Sequence, residues 1–420
     1  MLGRLLGRVI RQGTLTIKYA DGSQEALGTA ADGWPDVTIR FTDDAAARAI
    51  LTNPSLGAAE GFMDGRLIIE RGSIWNLIML VSGNTPLESG RSLEEPGLLA
   101  FLGERLKHWR DNYNKRGRAK ANVAHHYDLS DQLYALFLDA DRQYSCAYFT
   151  DPETVSLEQA QLDKKAHIAA KLALKPGQRV LDIGCGWGGM ALYLNRVADV
   201  DVLGVTLSEE QLKVARQRAQ DAGVADRVKF ELTDYRDVKG QFDRIVSVGM
   251  FEHVGTRQYR QFFRTCHNLL KVDGVMLLHT IGRLNGPAST DEFMRKYIFP
   301  GGYAPALSEI MQGSEPNKLL LTDLEVLRLH YYHTLRHWFE RVLNAHDQIV
   351  ALYDERFFRM WTFYLAAAAS GFLYGSQTIY QLQYVRNRHT LPLTRDYMFE
   401  AEAFYRVKGQ PLRTDDLTVS

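Results

Sequence analysis

The fold of this chain is decided by the stretch Val180-Leu181-Asp182-Ile183-Gly184-Cys185-Gly186-Trp187-Gly188-Gly189. The apolar run predicts a short strand that ends at Asp182-Ile183, and the segment Met190–Arg196 that follows predicts a helix. The glycines between them permit positive φ and leave the backbone bare, so that a ligand can lie against it. Strand, glycine turn and helix are typical of the first unit of a doubly wound sheet. Asp182, two residues before the first glycine, favours S-adenosylmethionine over a dinucleotide.

Strands and helices alternate after this stretch. Alternation predicts a parallel α/β sheet, and the ligands of such sheets lie at the carboxyl ends of the strands. We predict strands over Val180–Ile183, Asp201–Thr206, Val228–Leu232, Asp243–Gly249 and Val275–Thr280, and helices over Glu209–Ala222 and Gln258–Leu270. Candidate functional residues follow these strands: Thr206 and Ser208 after the second, Asp234 and Tyr235 after the third, Glu252 and His253 after the fourth, and His279 at the end of the fifth.

The turn after the second strand carries no acidic residue. It reads Gly204-Val205-Thr206-Leu207-Ser208, whereas dinucleotide sites place Asp or Glu there for the ribose hydroxyls. Either Thr206 and Gln211 take that role, or the site does not hold a nucleoside. Taken alone, the turn disfavours an NAD-dependent enzyme.

Composition limits the class of partner. The chain has 420 residues and a formal net charge of zero, enough length for two or three domains and no overall field that would attract nucleic acid. Its three cysteines, Cys146, Cys185 and Cys266, form neither a disulfide framework nor a metal-binding pair, which indicates a reducing compartment. No apolar run approaches the roughly 20 residues of a membrane span.

Residues 1–85 are expected to form a small α+β domain. The patterns predict strands over Thr14–Tyr19 and Val37–Phe41, and helices over Asp43–Leu51, Leu56–Met63 and Ser73–Val81. Residues 1–12 place apolar side chains at helical spacing opposite Arg4, Arg8 and Arg11. Such a basic amphipathic helix either lies on an anionic membrane or docks on its own domain, and the domain itself could face a membrane or a second subunit.

A basic linker, residues 86–120, is expected between this domain and a catalytic domain over residues 121–420. Its run of lysines and arginines either forms a solvated face or binds phospholipid head groups, at about 1 kcal/mol per residue near the surface. After it we predict a helix over Gln132–Leu138, capped by Asp128 or Ser130, and a second helix over Ser156–Leu172. This region is expected to lie over the cofactor as a lid.

Several motifs together resemble one family. They are His126-Tyr127-Asp128-Leu129-Ser130, Tyr144-Ser145-Cys146-Ala147-Tyr148-Phe149, residues 180–189, Gly204–Ser208, Met250-Phe251-Glu252-His253-Val254-Gly255, Leu277-Leu278-His279-Thr280-Ile281-Gly282, Tyr297–Gly302 and Tyr331-Tyr332-His333-Thr334-Leu335. In order and spacing these resemble the cyclopropane-fatty-acyl-phospholipid synthases and the mycolic acid cyclopropane synthases, over about residues 105–405. The resemblance implies a class I methyltransferase fold with a Rossmann-like, mostly parallel sheet, a helical lid and an insertion.

The resemblance also implies a reaction. S-adenosylmethionine gives its methyl group to a cis double bond in a phospholipid acyl chain, a base takes a proton, and a cyclopropane ring closes. In this family the base is bicarbonate, held by Cys, Glu, His, Tyr and a backbone amide. Carried to this sequence, those groups are Cys146, Glu252, His279, Tyr331 and the amide of Ile281. Glu252 would repel bicarbonate unless it accepts the anion's own O–H, so it is expected to orient the base or relay its proton.

For the cofactor, the resemblance implies contacts with Tyr144, Ser145, Asp182, Gly184, Cys185, Gly186, Trp187, Thr206, Ser208, Gln211, Asp234 and Tyr235. The family itself uses Gly-Val-Thr-Leu-Ser after strand two, which accounts for the missing acid. Other interpretations of the site residues stay open: Cys146 alone is more often a small buried hydrophobe, and Tyr332 competes with Tyr331. No third ligand stands at a recognisable spacing from the neighbouring histidines, so no metal is expected.

The substrate side is expected after the fifth strand. The apolar insertion 284–322 either walls an acyl channel or simply covers the sheet, and the helices from residue 331 onwards either line that channel or pack as core. Two rival functions remain: a methyltransferase of the same fold that gives methyl-branched acyl chains, and a noncatalytic lipid-binding protein. With the resemblance, the expected partner is an unsaturated phospholipid in an anionic membrane surface. The expected location is the cytoplasm, at the inner face of the membrane, with a homodimer possible.

Overall fold

A computed structural model describes residues 1–90 and 130–410 of the chain. Two sheets organise these residues, one of four strands near the N-terminus and one of seven strands in the larger part. The predictions for residues 91–129, which include most of the basic linker and His126 to Leu129, lie outside the described residues.

The N-terminal sheet has the strand order β2-β1-β3-β4. Its elements are α1 (Leu2–Leu6), β1 (Gly13–Lys18), β2 (Gln24–Thr29), β3 (Asp36–Phe41), α2 (Asp44–Thr52), α3 (Pro54–Met63), β4 (Leu67–Arg71) and α4 (Ile74–Gly83). Two of these strands were not predicted, because β2 is largely exposed and β4 follows its helix after a short turn, so neither shows a clear apolar alternation. Side chains of Asp43, Asn53 and Ser73 cap the three longer helices.

The first helix is shorter than the predicted 1–12 and docks on its own domain. Leu2 and Ile10 are each only 2% exposed and belong to the N-terminal core, with Leu6 and Val9 packed beside them. Arg4, Arg8 and Arg11 point outward. The sheet therefore already covers the apolar face of this helix, which agrees with the interpretation that the helix docks on its own domain.

The large sheet has the order β10-β11-β9-β8-β5-β6-β7. Its strands are β5 (Arg179–Ile183), β6 (Asp201–Thr206), β7 (Val228–Leu232), β8 (Phe242–Val248), β9 (Leu270–Arg283), β10 (Leu320–Val326) and β11 (Gln377–Val385). The five strands β5 to β9 are parallel. Strand β11 pairs antiparallel with β9, and β10 pairs antiparallel with β11. The predicted mostly parallel α/β fold is confirmed.

Helices cover both faces of this sheet. They are α5 (Asp131–Phe137), α6 (Leu157–Lys171), α7 (Gly189–Ala198), α8 (Glu209–Asp221), α9 (Tyr259–Leu269), α10 (Leu307–Ser314), α11 (His330–Asn344), α12 (His346–Leu352), α13 (Glu355–Leu373) and α14 (Asp396–Lys408). Residues of α6, α7, α8 and α14 form the core on one face, and residues of α9 and α10 form the core on the other. Ser130, one of the two predicted caps, accepts the backbone N–H of Leu133 at the start of α5.

A third core joins the two parts of the chain. Side chains of α3 and α4 pack in the same cluster as those of α5, α11 and α13. Phe62 meets Phe363 at 6.5 Å between ring centroids, and Trp75 meets Phe339 at 4.8 Å. The N-terminal part is therefore packed against the helices above the large sheet.

Candidate active site

A cavity of about 160 Å³ opens over the glycine turn after β5. Gly184 has φ +83° and a Cβ there would lie 2.7 Å from the Cβ of Met250, so a side chain is excluded. Gly186 has φ +54°, but a Cβ there would meet nothing within 4 Å. The turn thus presents bare backbone to open space. The predicted cofactor residues that line this cavity are Tyr144, Ser145, Asp182, Gly184, Cys185, Gly186, Trp187, Thr206, Gln211, Asp234 and Tyr235.

Asp182 supplies a negative group at the end of β5. Its side chain is buried, and its Oδ2 atom finds no hydrogen-bond donor within the described part of the chain. Burial raises the pKa of this carboxyl to about 7. An ammonium group in the cavity would supply the missing donor, and the amino-acid end of S-adenosylmethionine carries one, so the residue fits that cofactor.

Thr206 and Ser208 have different roles after β6. Thr206 Oγ1 donates to Gln211 Oε1 at 3.2 Å and accepts the backbone N–H of Ser208 at 3.1 Å. Thr206 and Gln211 line the cavity, whereas Ser208 lies outside its lining. The Ser208 hydroxyl instead caps α8 by accepting the backbone N–H of Gln211. Its part in the expected cofactor set is thus to orient Gln211.

The end of β7 presents a charged pair and an aromatic ring. Both oxygens of Asp234 accept from the Arg236 guanidinium, at 2.8 and 2.5 Å. The ring of Tyr235 packs edge-on against Phe262. Asp234, Tyr235 and Arg236 all line the cavity. Arg236 was missed by the sequence analysis, because nothing in its local pattern separates it from a surface arginine.

Trp187 links the glycine turn to helix α5 of the expected lid. Its indole Nε1 donates to Asp131 Oδ1 at 3.1 Å, at the start of α5, and its ring packs edge-on against Tyr134. Arg218 donates to the Trp187 carbonyl at 2.9 Å from the other side. The expected lid is therefore tied to the cofactor cavity through this side chain.

A second cavity, of about 170 Å³, adjoins the first. Tyr144, Ser145, Gly249 and His253 line both. The second cavity is also lined by all the residues predicted to hold the base: Cys146, Glu252, His279, Ile281 and Tyr331. The structure therefore brings the five together from a loop, the turn after β8, β9 and α11, although they span nearly 190 positions of sequence.

Glu252 is held by Ile281. The backbone N–H of Ile281 donates to Glu252 Oε1 at 2.6 Å, while Glu252 Oε2 is buried with no partner among the described residues. Burial raises the pKa of this carboxyl to about 7, against the lowering effect of the Ile281 amide. The sequence analysis expected the Ile281 amide to donate to an anion. It donates to Glu252 instead, because the carboxyl lies directly over the end of β9.

His279 presents one ring nitrogen without a partner. Its Nδ1 atom lies 3.1 Å from Gln381 Nε2, and its buried Nε2 atom meets no polar partner in the described ranges. Burial holds the pKa of His279 well below the usual value, so the ring is neutral. The buried Cys146 thiol donates to the Ala147 carbonyl at 3.2 Å, and burial raises its pKa. Cys146 therefore faces the cavity as a neutral thiol.

Tyr331, and not Tyr332, belongs to the cavity. The Tyr331 ring packs edge-on against Trp338 and tilts against Phe372, and burial raises the pKa of its hydroxyl, which stays protonated. Tyr332 is half-buried and tilts against Trp75 of the N-terminal part. Adjacent positions of a helix project from different faces, so of these two tyrosines only Tyr331 lines the second cavity.

Lys164 is a buried cation beside both cavities that the sequence analysis missed. Its Nζ donates to Gln143 Oε1 at 2.7 Å and to Ser145 Oγ at 2.8 Å. Burial lowers the pKa of this ammonium to about 7. Lys164 thereby fixes the loop that separates the cavities. In the sequence, Lys164 looks like an ordinary polar residue of α6. It is buried only because that helix packs against the loop.

The rest of the second cavity has a mixed lining. Its apolar side chains come from the insertion (Met294, Phe299) and from α11, α13 and β11 (Leu335, Tyr364, Ala368, Phe372, Ile379). Its charged and polar side chains include Arg283, Asp291 and Gln377. The first part of the predicted insertion therefore lines the cavity, while α10 packs on α9 and covers the sheet. Residues 284–322 thus line a cavity in one segment and cover the sheet in another.

Two further features bear on the class of protein. Within residues 1–90 and 130–410, no cluster of three or more His, Cys, Asp or Glu has the arrangement to hold a metal ion. In the same residues, no helix combines the length and apolar character needed to cross a bilayer.

The sheet order, the glycine turn and the cavity over it define a class I methyltransferase fold that uses S-adenosylmethionine. The family model described as mycolic acid cyclopropane synthetase matches residues 114–382, and the chain belongs to that family. A second model, described as a domain of unknown function (DUF7884), matches residues 3–86.

Three similar proteins illustrate the relationship. The cyclopropane-fatty-acyl-phospholipid synthase of Escherichia coli (strain K12) is 40% identical over 359 residues, which cover 86% of this chain and 90% of that protein. A probable fatty acid methyltransferase of Pseudomonas putida is 38% identical over 400 residues, 92% of this chain and 96% of that protein. The crystal structure of mycolic acid cyclopropane synthase CmaA1 complexed with SAH and CTAB has a TM-score of 0.60 and 34% identity, covering 63% of this chain and 97% of that chain.

Proposed function

We propose that this enzyme transfers a methylene group from S-adenosylmethionine to the cis double bond of an unsaturated phospholipid acyl chain, with bicarbonate as the base. The observation that carries the proposal is the second cavity. Its lining combines apolar side chains with a neutral histidine and a carboxyl that has an unpartnered oxygen, and it adjoins the cavity over the glycine turn.

The two cavities support direct transfer. An alkene is a weak nucleophile, so it must be held in line with the sulfonium and away from water. Tyr144 and Ser145 line both cavities, so a methyl group presented between them would face the apolar space. The S–CH₃ bond breaks as one alkene carbon bonds to the methyl carbon, which leaves a positive charge on the other carbon.

The polar end of the second cavity supports removal of the proton. Bicarbonate held there would accept a proton from the new methyl group, and the electrons of that C–H bond would close the ring. Tyr331 is a protonated donor for its oxygens, and the Cys146 thiol, whose single hydrogen donates to the Ala147 carbonyl, would turn to the anion when it binds. Glu252, whose pKa lies near neutrality, can share a proton with it through the Oε2 atom. The Ile281 amide contributes by fixing Glu252.

The substrate surface and location form a further part of the proposal. We expect the lipid to come from an anionic membrane surface, with the enzyme bound peripherally to its cytoplasmic face, and the proposal allows a homodimer. The N-terminal helix is not the proposed membrane contact, because its apolar face is packed on its own sheet.

The test is a product assay with and without bicarbonate. Purified enzyme is incubated with methyl-labelled S-adenosylmethionine and vesicles of a cis-unsaturated phospholipid, in degassed buffer and in the same buffer with bicarbonate restored. We expect label in the lipid, a gain of about 14 mass units, a cyclopropane product by gas chromatography and turnover that rises with bicarbonate.

Other outcomes distinguish the rivals. A methyl-branched product would favour the alternative C-methyltransferase; the similar Pseudomonas putida protein is a probable fatty acid methyltransferase. No label in lipid would contradict the proposed function. Cyclopropane formation that does not respond to bicarbonate would remove the anion from the mechanism and leave Glu252 as the direct base.

A further inference from the structure

A buried polar chain leads away from His279, on the side opposite the cavity. It consists of Gln381 on β11, Lys171 at the end of α6, and the acids Glu325 and Asp323 on β10. Lys171 and Gln381 are 2% and 0% exposed, so water does not compete for their hydrogen bonds. None of these four residues lines either cavity.

The sheet register puts Gln381 directly beside His279. The two residues are paired across the antiparallel strands β9 and β11, so their side chains project from the same face. Gln381 Nε2 lies 3.1 Å from His279 Nδ1, and Gln381 Oε1 lies 2.8 Å from Lys171 Nζ. One amide therefore bridges the ammonium and the imidazole.

The ammonium decides which way this amide points. Lysine in its charged form has donors and no acceptor, so only the amide oxygen can face Lys171. The amide NH₂ must then face His279, where it needs an acceptor. A neutral imidazole offers that acceptor at Nδ1 only if its hydrogen is on Nε2.

We infer that Lys171 and Gln381 are positioning residues that hold His279 as the Nε2–H tautomer, with its N–H aimed at the anion-holding end of the second cavity. The inference rests on the proposed function for its role in turnover. In the opposite tautomer, His279 Nε2 would present a lone pair to an anion. The Gln381 NH₂ group would then face the Nδ1–H group, so that two donors would meet.

Burial lowers the pKa of the Lys171 ammonium, and the neighbouring carboxylates oppose that shift. Lys171 makes a close contact with the Glu325 carboxylate, and Asp323 lies 3.9 Å away. His167, paired with Glu325 and Glu402, lowers the pKa of Glu325 to about 2, so that carboxylate is ionised. A buried ammonium costs free energy unless its partners are fixed, and here two carboxylates and the Gln381 amide are those partners.

Side-chain nitrogen NMR tests the inference directly. Enzyme labelled with ¹⁵N-histidine reports which ring nitrogen of each of the 12 histidines carries hydrogen, and His279→Asn identifies the relevant pair of signals. We expect the wild-type His279 signals to be those of a neutral ring protonated on Nε2. Gln381→Glu should reverse the tautomer, because a carboxylate in that place accepts from Nδ1–H and still accepts from Lys171.

Turnover should follow the tautomer. Loss of one donor to a buried anion lowers kcat by about 10²-fold, so we expect Gln381→Glu to lose about that factor while the KM for S-adenosylmethionine is retained. Glu400→Gln is the control: it removes an exposed carboxylate of α14 that lies outside this buried network, and should leave the His279 tautomer and kcat unchanged. If Gln381→Glu does not fold, Gln381→Met takes its place and should give a mixture of tautomers.

The outcomes separate this inference from the proposed function. A wild-type His279 with hydrogen on Nδ1, or a Gln381→Glu enzyme that keeps the wild-type tautomer, would overturn the inference whatever the enzyme makes. An Nε2–H signal in an enzyme that forms no cyclopropane would instead uphold the tautomer and refute the function.

Discussion

Replacing Glu252 by glutamine should change how the stability of the ligand-free enzyme depends on pH. The pKa of this carboxyl is raised from its usual 4.5 to about 7 in the folded protein, because it is buried. The folded state therefore binds a proton that the unfolded state has already lost, throughout the interval between those two values. Stability that is fully present below pH 4.5 is lost as the pH rises through 7.

The size of the effect follows from the pKa difference. Each pKa unit corresponds to about 1.4 kcal/mol, so a change from 4.5 to about 7 amounts to about 3 kcal/mol in total, most of which falls between pH 5 and 8. Glutamine has no such proton. We therefore expect Glu252→Gln to gain that much free energy of unfolding relative to wild type over this interval.

Urea unfolding at pH 5, 6, 7 and 8, without S-adenosylmethionine or bicarbonate, measures the difference. Asp182 also has a raised pKa, but it is present in both proteins and cancels in the comparison. Glu210→Gln, on the exposed side of α8, is the control for a surface charge. Parallel stability profiles for wild type and Glu252→Gln would refute the assignment of a protonated carboxyl to this cavity.

Two other substitutions separate the two cavities. Tyr331→Phe removes a protonated donor from the second cavity, and we expect kcat to fall by about 10²-fold with the affinity for S-adenosylmethionine unchanged by calorimetry; an unaltered kcat would exclude Tyr331 from the anion site. Asp182→Asn leaves the second cavity intact, and we expect affinity for the cofactor to fall by about 10- to 100-fold, the cost of losing a charged hydrogen bond. Equal affinity would place the cofactor's ammonium elsewhere.

The parts of the fold that follow a regular period were predictable from sequence. Strand β6 and strand β7 have the predicted bounds, and the helix predicted over Glu209–Ala222 ends one residue earlier. Residues 377–385 form β11, a strand that was not predicted. Its segment Tyr380-Gln381-Leu382-Gln383-Tyr384 alternates like a half-covered strand, yet both faces are buried, and Gln381 and Gln383 bond to buried partners from other elements.

The candidate site was predictable where motifs carry it, and not where packing does. Cys146, Glu252, His279 and Tyr331 were found through motifs, and the structure places them around one cavity. The partners of these residues were not found, because they arise from contacts between distant segments. Gln381 meets His279 only through the register of an added antiparallel strand.

Helix α13 gives the two parts of the chain a common wall. Its residues Tyr364, Ala368 and Phe372 line the second cavity, while Phe363 on another side meets Phe62 of the N-terminal part. An α-helix is about 10 Å across with its side chains, so only one helix thickness separates the second cavity from the N-terminal part. A shortened enzyme that begins near residue 130 would expose the outer side of α13 to solvent. The N-terminal part thus supports the wall of the second cavity from its outer side.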